Sequence, residues 1–474
     1  MESQITIDED KKKYISKTGG RSKIMKTKSV SLTEGKILKS LVMFAIPILI
    51  GNIFQQLYNV ADTAIIGNVL GDQALAAVGA TSALYSLVIG FANGITNGFS
   101  VVLARVFGEK DEEKLKQTSA LIYFLTVIIS IILTLASVIS LHSILVMLKT
   151  PENILPKTEA YLRIILIFAI VTMLYNMFSG ILRAIGDSKT PLYFLLLSSA
   201  LNVGLDFLFV KGLNRGIGGA AEATVIAQIV SVSLCIVYIW KKCPVLKFSM
   251  RYLKWDKELV KELLLTGFSM GLMLVVVSIG SVALQSAVNS LGEQIIAAHT
   301  AARKIDDIFM MPLGTLATAA ATFASQNFGA GKYDRVYKGI KHAVLIAIGW
   351  SACAILIVFA IGKYMVKWLT GTSDAEIISN ALMYMKINIV FFLVLSILLV
   401  LRSSLQGVGR KAVPVLGSGI ELILKFGAVN IITNRLGYFG VCILEPIIWV
   451  ICAVLVLGDF IVYQKTNKKI YCLI

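Results

Sequence analysis

The chain has 474 residues, of which 57% are hydrophobic and 15% are charged, and its mean hydropathy is +0.79. One soluble core cannot bury so much apolar surface, so the composition excludes an ordinary soluble domain and indicates a protein solvated by lipid. The net charge of +17 would otherwise suggest a nucleic-acid partner, but most basic residues lie in predicted loops, so no nucleic-acid role is expected.

The first residues are polar and rich in lysine, with no short apolar segment and cleavage site before the first apolar stretch. We therefore expect a basic amino-terminal tail over 1–35 and a short carboxyl-terminal tail over 465–474. A basic linker is expected over 241–257. By the positive-inside rule all three lie in the cytoplasm, which predicts a multi-pass protein of the cell membrane, inner or plasma.

Between these segments, apolar stretches long enough to cross a hydrocarbon layer of about 30 Å recur along the chain. We number the twelve predicted spans in chain order: 38–68, 74–104, 117–147, 157–183, 190–210, 217–240, 258–290, 295–327, 338–368, 377–407, 412–434 and 437–463. Six precede the linker and six follow it. This predicts an all-α integral membrane protein with an amino lobe over 36–240 and a carboxyl lobe over 258–464.

The two predicted lobes repeat one sequence pattern. LGDQ at 70–73 returns as LGEQ at 291–294, an offset of 221 residues, and Phe-Gly at 107–108 returns at 328–329. Later, LRAIGDSKTP is matched by LQGVGRKAVP at an offset of 223. Six spans return the chain to its starting side, so the pseudo-two-fold axis runs along the membrane normal, and a substrate cavity is expected between the lobes.

Span 1 carries a polar stripe of Asn52, Gln55, Asn59 and Asp62, whose spacing places them on one helical face. An ionised carboxyl in hydrocarbon costs at least about 2.5–3.5 kcal/mol, so this face is expected to line a protein or water-filled interior. Tyr58 lies four residues before Asp62, within reach of a hydrogen bond. The alternative is that Asp62 marks a polar helix end near the outer surface.

Span 5 places Asn202 and Asp206 on one face, and span 6 contributes Thr224. Together with Asp62, these groups would form a cage of oxygen ligands suited to a proton or an alkali cation. Two close carboxyls cannot both ionise cheaply, so they are expected to share a proton. The alternative is that Asn202 and Asp206 only join helices.

The repeat shows whether Asp62 and Asp206 are expected to have a structural role, because a structural residue should occur in both copies. Shifted by 221 residues, Asp62 falls on Ala283, and shifted by 223, Asp206 falls on Val429. A purely structural acid would be expected in both copies. Its absence from the second copy favours a functional role in the amino lobe.

The carboxyl lobe has acidic and basic residues of its own. Glu421 and Lys425 are spaced for an ion pair along one helix, and Glu445 lies in span 12. A buried ion pair that stabilises the lobe is the favoured interpretation, with binding of a cationic substrate by Glu445 as the alternative. The candidate substrate-cavity residues are Gln55, Asn59, Glu421, Lys425 and Glu445.

Nothing in the sequence indicates an enzyme. The three histidines are scattered, and the six cysteines include no Cys-x-x-Cys pair. We expect no catalytic residue, no metal site and no cofactor.

The chain resembles the multidrug and toxic compound extrusion (MATE) family through phrases such as IPILIGNIFQQLYNVADTAIIG, NVGLDFLF, GIGGAAEATVIAQ and ASQNFGAGK. The resemblance covers nearly all of residues 36–465 and implies two six-helix lobes that alternate between outward-open and inward-open forms. It further implies export of organic cations or other drugs against inward flow of H⁺ or Na⁺.

The resemblance is nearest to the DinF-like branch. There, Asp62, Asn202, Asp206 and Thr224 match the positions that bind the coupling ion, and Pro47 matches a first-helix proline implicated in bending. We expect a monomer that works by alternating access, in which neutralising the acids lets span 1 bend and shrink the cavity. The alternative is a lipid-linked oligosaccharide or polysaccharide flippase of the same superfamily.

Overall fold

The computed structural model describes residues 30–148 and 150–471, and the structural statements below concern these residues. Most of the predicted basic tail over 1–35 lies outside them, as do the last residues of the predicted tail over 465–474. The described chain consists of long helices joined by short loops. It confirms the predicted all-α, two-lobed membrane architecture.

Each predicted span corresponds to a helical segment. Spans 1 to 6 are Ile37–Leu70, Asp72–Glu109, Glu112–Met147, Leu155–Ile167 with Ala169–Ala184, Lys189–Asp206, and Gly216–Lys242. Spans 7 to 10 are Lys257–Asn289, Glu293–Gly329, Tyr333–Thr370 and Ala375–Gly407, and spans 11 and 12 share Ala412–Tyr471. Eleven helical segments of the described chain are long and apolar enough to span alone, and the bent pair in span 4 provides the twelfth.

Three spans depart from a regular straight helix. Span 4 bends by 47° at Phe168, where no proline or glycine stands, so tertiary packing sets the bend. Span 5 continues beyond Asp206 as a π-helix, Phe207–Gly212. Spans 11 and 12 are divided at Gly437, which has φ of 57° and ψ of −140°. Glycine adopts this conformation readily because it has no Cβ.

We call the side of the bundle from which span 1 starts the terminal face, and the opposite side the far face. Successive spans alternate in direction, so the linker between spans 6 and 7 also lies at the terminal face. This linker contains two short 3₁₀ helices, Pro244–Leu246 and Met250–Tyr252.

Spans 1 and 7 each pack in both lobes. Near the terminal face, Phe44 of span 1 is buried in the core of the carboxyl lobe, whereas Ile66 near the other end packs in the amino lobe. Span 7 does the reverse, with Leu263 in the amino-lobe core and Val288 in the carboxyl-lobe core. The lobes are therefore interleaved through their first helices.

Glycines allow spans 2 and 7 to touch backbone to backbone. A Cβ on Gly94 would lie 2.4 Å from the Cα of Gly271, and one on Gly98 would lie 2.6 Å from the Cα of Gly267. Each helix thus presents two glycines four residues apart, the small-residue spacing typical of close helix contacts in membranes. This contact forms the central seam between the lobes.

The lobes also meet where spans 2 and 8 end at the terminal face. A Cβ on Gly108 would lie 2.0 Å from the carbonyl oxygen of Gln326, and one on Gly329 would lie 1.9 Å from that of Arg105. The Gln326 side chain donates to the carbonyl of Ala184 at 2.7 Å, which adds a hydrogen bond across the seam. The repeated Phe-Gly pairs of the sequence therefore mark a symmetric contact that closes this face.

Residues 30–35 form an irregular segment, the strap, that crosses this closed face. The Val30 amide donates to the carbonyl of Gly186 in the amino lobe at 3.0 Å. Leu32 is 1% exposed in the core of the carboxyl lobe, and its carbonyl accepts from Asn327 at 3.1 Å. Arg335 donates to the carbonyls of Leu32, Glu34 and Gly35. The strap thus fastens the two lobes together.

Candidate ion and substrate site

The structure brings Asp62 of span 1 and Asp206 of span 5 together inside the amino lobe. The two residues are 8% and 0% exposed, and their carboxyl groups are within hydrogen-bonding reach of each other. The Oδ1 atom of each is buried without a hydrogen-bond partner among the described residues. Two ionised carboxylates at this range repel, so the arrangement fits a proton or a cation held between them.

Asn202 links this pair to span 6. One end of its amide lies 3.1 Å from Oδ2 of Asp206, and the other lies 3.3 Å from Oγ1 of Thr224. The amide nitrogen can donate to an ionised Asp206, and the amide oxygen can accept from a protonated one or bind a cation. With the nitrogen toward Asp206, the oxygen also accepts from the backbone amide of Thr224 at 3.2 Å, so this orientation pairs both ends of the amide.

Tyrosines surround the carboxyl pair. Tyr58, predicted as a partner of Asp62, has its hydroxyl hydrogen-bonded with Thr224, and Asp62 lies close enough to interact with it electrostatically. Tyr85 and Tyr161 also lie near Asp62. Neither tyrosine was predicted from the sequence, because each lies on a different span from Asp62 and no local spacing relates them to it.

The π-helical turn of span 5 begins directly after Asp206. Such turns occur frequently at functional sites, because the extra residue changes the direction of the side chains around it. The apolar sequence FLFVKG gives no sign of it.

A polar cavity of about 150 Å³ adjoins the cage within the amino lobe. Gln55 and Asn59, two predicted cavity residues, line it together with Tyr58, Asn202 and Thr224. Amides and hydroxyls from spans 2, 4, 5 and 6 complete the wall: Asn93, Thr172, Asn176, Ser198, Ser199 and Gln228. These side chains offer many hydrogen bonds and no formal charge, which suits varied guests.

Pro47, the predicted hinge, lies within the continuous helix of span 1. It is buried next to Phe44 and Ala45, the residues through which span 1 packs on the carboxyl lobe. Beyond it, residues 53–57 are largely exposed. The proline therefore stands where span 1 passes from firm packing to open surroundings, and its role as a hinge stays a prediction.

The remaining predicted cavity residues lie in a buried ion network of the carboxyl lobe. Glu445 accepts from Arg303 at 2.9 Å and from Lys425 at 3.4 Å. Lys425 also pairs with Glu421 at 3.2 Å, one turn away, and Glu421 lies 3.7 Å from Arg402. The ion pair expected from the spacing of Glu421 and Lys425 is thus present, and substrate binding by these residues stays a prediction.

Two further residues complete this network, and neither was anticipated from the sequence. The Tyr384 hydroxyl donates to Glu445 at 3.1 Å. Asp306, 6% exposed, interacts electrostatically with Arg303 one turn away. Three cations and three acids therefore stand together, although Oδ1 of Asp306 is buried without a hydrogen-bond partner among the described residues. In the part of the chain that the structure describes, no group of three His, Cys, Asp or Glu side chains is placed to hold a metal ion.

Two similar six-span lobes are closed against each other at one face, and the amino lobe holds a polar cavity beside a pair of buried acids. This arrangement is typical of a membrane transporter. The MatE family pattern matches the chain twice, over residues 47–208 and 269–430, once in each lobe. The chain belongs to the MatE family of multidrug and toxic compound extrusion transporters.

Individual relatives support this assignment. The chain is 31% identical to the probable multidrug resistance protein YpnP of Bacillus subtilis (strain 168), over 73% of this chain and 78% of that protein. It is 27% identical to the probable multidrug resistance protein YoeA of the same organism, over 92% and 96%. A solved structure of a multidrug resistance MATE transporter in the outward-facing conformation has the same fold, with a TM-score of 0.85, 24% identity, and coverage of 94% and 99%.

Proposed function

We propose that this protein exports organic cations across the cell membrane in exchange for H⁺ or Na⁺. The observation that carries the proposal is the buried pair of Asp62 and Asp206, each with an unpartnered oxygen, beside a polar cavity. The names of the relatives support multidrug export as the task.

The ion and the drug compete through the conformation of span 1. Entry of a proton or Na⁺ neutralises the carboxyl pair and lets Asp62 draw closer to Asp206. Span 1, which lacks one backbone hydrogen bond at Pro47, then bends and narrows the cavity lined by Gln55 and Asn59. Loss of the ion restores the form that accepts drug, so the two ligands exclude each other as an antiporter requires.

The direction of drug transport follows from the orientation of the chain in the membrane. The exposed lysines and arginines of the linker favour a cytoplasmic terminal face. The closed seam then faces the cytoplasm, and the described conformation is the one that releases drug outside. One chain supplies both lobes and the cavity, so a monomer is sufficient for transport.

The alternative of an oligosaccharide flippase is less well supported. A pyrophosphate-linked substrate requires unpaired cations in the cavity, but Arg303, Lys425 and Arg402 are paired with acids of their own lobe. The amino-lobe cavity is lined by uncharged groups.

The test uses the purified full chain in liposomes, with ethidium as the probe and pH and sodium gradients imposed separately. The wild type is expected to transport ethidium under one gradient, which identifies the coupling ion. Asp62→Asn removes an ionisable group while keeping its shape, and should abolish gradient-driven transport.

Glu152→Gln, which changes an exposed acid of the loop between spans 3 and 4, is the matched control and should transport normally. Transport driven by neither gradient would overturn the exchange mechanism. Normal gradient-driven transport in Asp62→Asn, at equal reconstituted amounts, would overturn the assignment of coupling to the carboxyl pair.

A further inference from the structure

An apolar groove opens on the amino lobe near the terminal face, apart from the ion site. Its volume is about 390 Å³, and spans 3, 4 and 6 and the linker form its walls. Five of its eight lining side chains are aromatic: Tyr123, Phe124, Phe178, Trp240 and Phe248. Trp240 is 60% exposed, so the groove is open at its side.

The linker is folded against span 3 and forms one edge of this groove. The Tyr123 hydroxyl donates to the carbonyl of Leu246 at 3.0 Å, and the Phe248 ring stands edge-on to the Tyr123 ring at 5.7 Å. Further along, Gln117 donates to the carbonyl of Lys254 at 3.2 Å. These contacts hold the linker in place, so the groove is a built feature of the fold.

Positive charge is concentrated at the mouth of the groove. The Lys247 ammonium lies over the Trp240 ring, 5.1 Å from its centre. Other exposed basic residues of the same segment are Lys241, Lys242, Arg251, Lys254 and Lys257. The acid among them, Asp256, accepts from the amides of Glu258 and Leu259 at the start of span 7. An anion at the mouth would therefore meet a net positive field.

We propose that this groove binds an anionic phospholipid from the adjoining leaflet, with one acyl chain between the aromatic rings and the phosphate beside Lys247. A lipid tail matches the nearly uncharged walls, and a negatively charged headgroup matches the basic rim. A zwitterionic lipid offers the same tail without net charge. The rim therefore selects between lipids that the groove alone would accept equally.

The test measures lipids retained by the purified full chain, by native mass spectrometry, after addition of phosphatidylglycerol or phosphatidylcholine with identical acyl chains. The wild type should retain phosphatidylglycerol preferentially. Lys247→Gln should reduce this preference about fivefold, since a lysine near an anionic surface contributes about 1 kcal/mol. Val127→Trp fills the groove from its wall and should reduce retention of both lipids.

Two matched variants separate a site from general attraction. Lys338→Gln removes an exposed lysine elsewhere at the terminal face, and Trp368→Ala removes a tryptophan that is 86% exposed on span 9. Both should behave as wild type. Equal retention of the two lipids by the wild type would overturn the proposal, as would an equal loss of preference in Lys247→Gln and Lys338→Gln. Unchanged retention in Val127→Trp would overturn the placement of the acyl chain.

Discussion

Asn202 of span 5 and Thr224 of span 6 form a hydrogen bond of 3.3 Å in the amino lobe. The corresponding positions of the carboxyl lobe hold Lys425 and Glu445, whose side chains lie 3.4 Å apart. The first pair member corresponds at the offset of 223 residues, and the second at 221, the offset that aligns Gly216 and Gly219 with Gly437 and Gly440. One scaffold thus holds a neutral pair in one lobe and a charged pair in the other.

The residues around the two pairs also differ in whether their carboxyl oxygens have partners. Beside Asn202 stands Asp206, with an orphaned oxygen, but at the corresponding position of the carboxyl lobe stands Val429. Glu445, by contrast, has its carboxylate occupied by Arg303, Lys425 and Tyr384. A buried charge that already has partners is stable without a bound ion, whereas a buried carboxyl oxygen without a partner is costly unless a proton or a cation binds to it. The comparison separates a pair of acids that each keep an unpartnered oxygen from a Lys–Glu pair whose charges satisfy each other.

The largest effect is expected when the ion site is made to resemble the carboxyl lobe. Asp206→Val copies Val429 and should reduce gradient-driven ethidium transport to that of empty liposomes. Its melting temperature should change little, because removal of a buried oxygen without a partner offsets the loss of the contacts with Asn202 and Asp62. Transport at wild-type rates in this variant would show that Asp206 is not needed for coupling.

Removing one acid from the carboxyl-lobe network should affect stability instead. Glu445→Gln leaves Arg303 and Lys425 without their shared carboxylate, which is expected to cost about 3–5 kcal/mol and to lower the melting temperature. Glu152→Gln changes an exposed loop acid and is the control. Equal melting temperatures for the two variants would contradict a structural role for the network.

A double-mutant cycle tests whether the pair acts as a unit. Lys425→Asn and Glu445→Thr together install the amino-lobe pair in the carboxyl lobe. The double variant should be less destabilised than the sum of the single variants by about 1–3 kcal/mol, because each single variant already loses the same Lys425–Glu445 attraction. Additive losses of stability would mean that the two residues do not interact appreciably.

A smaller effect is expected at the seam on which both lobes depend. Gly94→Ala places a methyl group against the backbone of Gly271 and should lower stability by about 1–3 kcal/mol. Gly90→Ala, one turn away, has its nearest neighbour at 3.9 Å and should be nearly neutral. Similar melting temperatures for both would indicate that spans 2 and 7 separate readily.

Much of the architecture was predictable from the sequence because a helix in lipid satisfies its backbone hydrogen bonds within itself. A long apolar stretch therefore determines a span locally, and the repeat determines two similar lobes. The polar faces that carry Asp62 and Asp206 were readable for the same reason, since an acid in hydrocarbon must turn inward. The spacing of Glu421 and Lys425 likewise indicated their ion pair.

Only the tertiary structure decided which distant groups meet. It placed Arg303 against Glu445 and Tyr58 beside Thr224, left one oxygen of each buried Asp of the pair unpartnered, and bent span 4 at Phe168. It also interleaved spans 1 and 7 between the lobes. These features depend on packing between segments far apart in the chain, and no local pattern encodes a neighbour. The sequence by itself determined the spans and the acids, and the packing determined which charges are satisfied and which remain open to an ion.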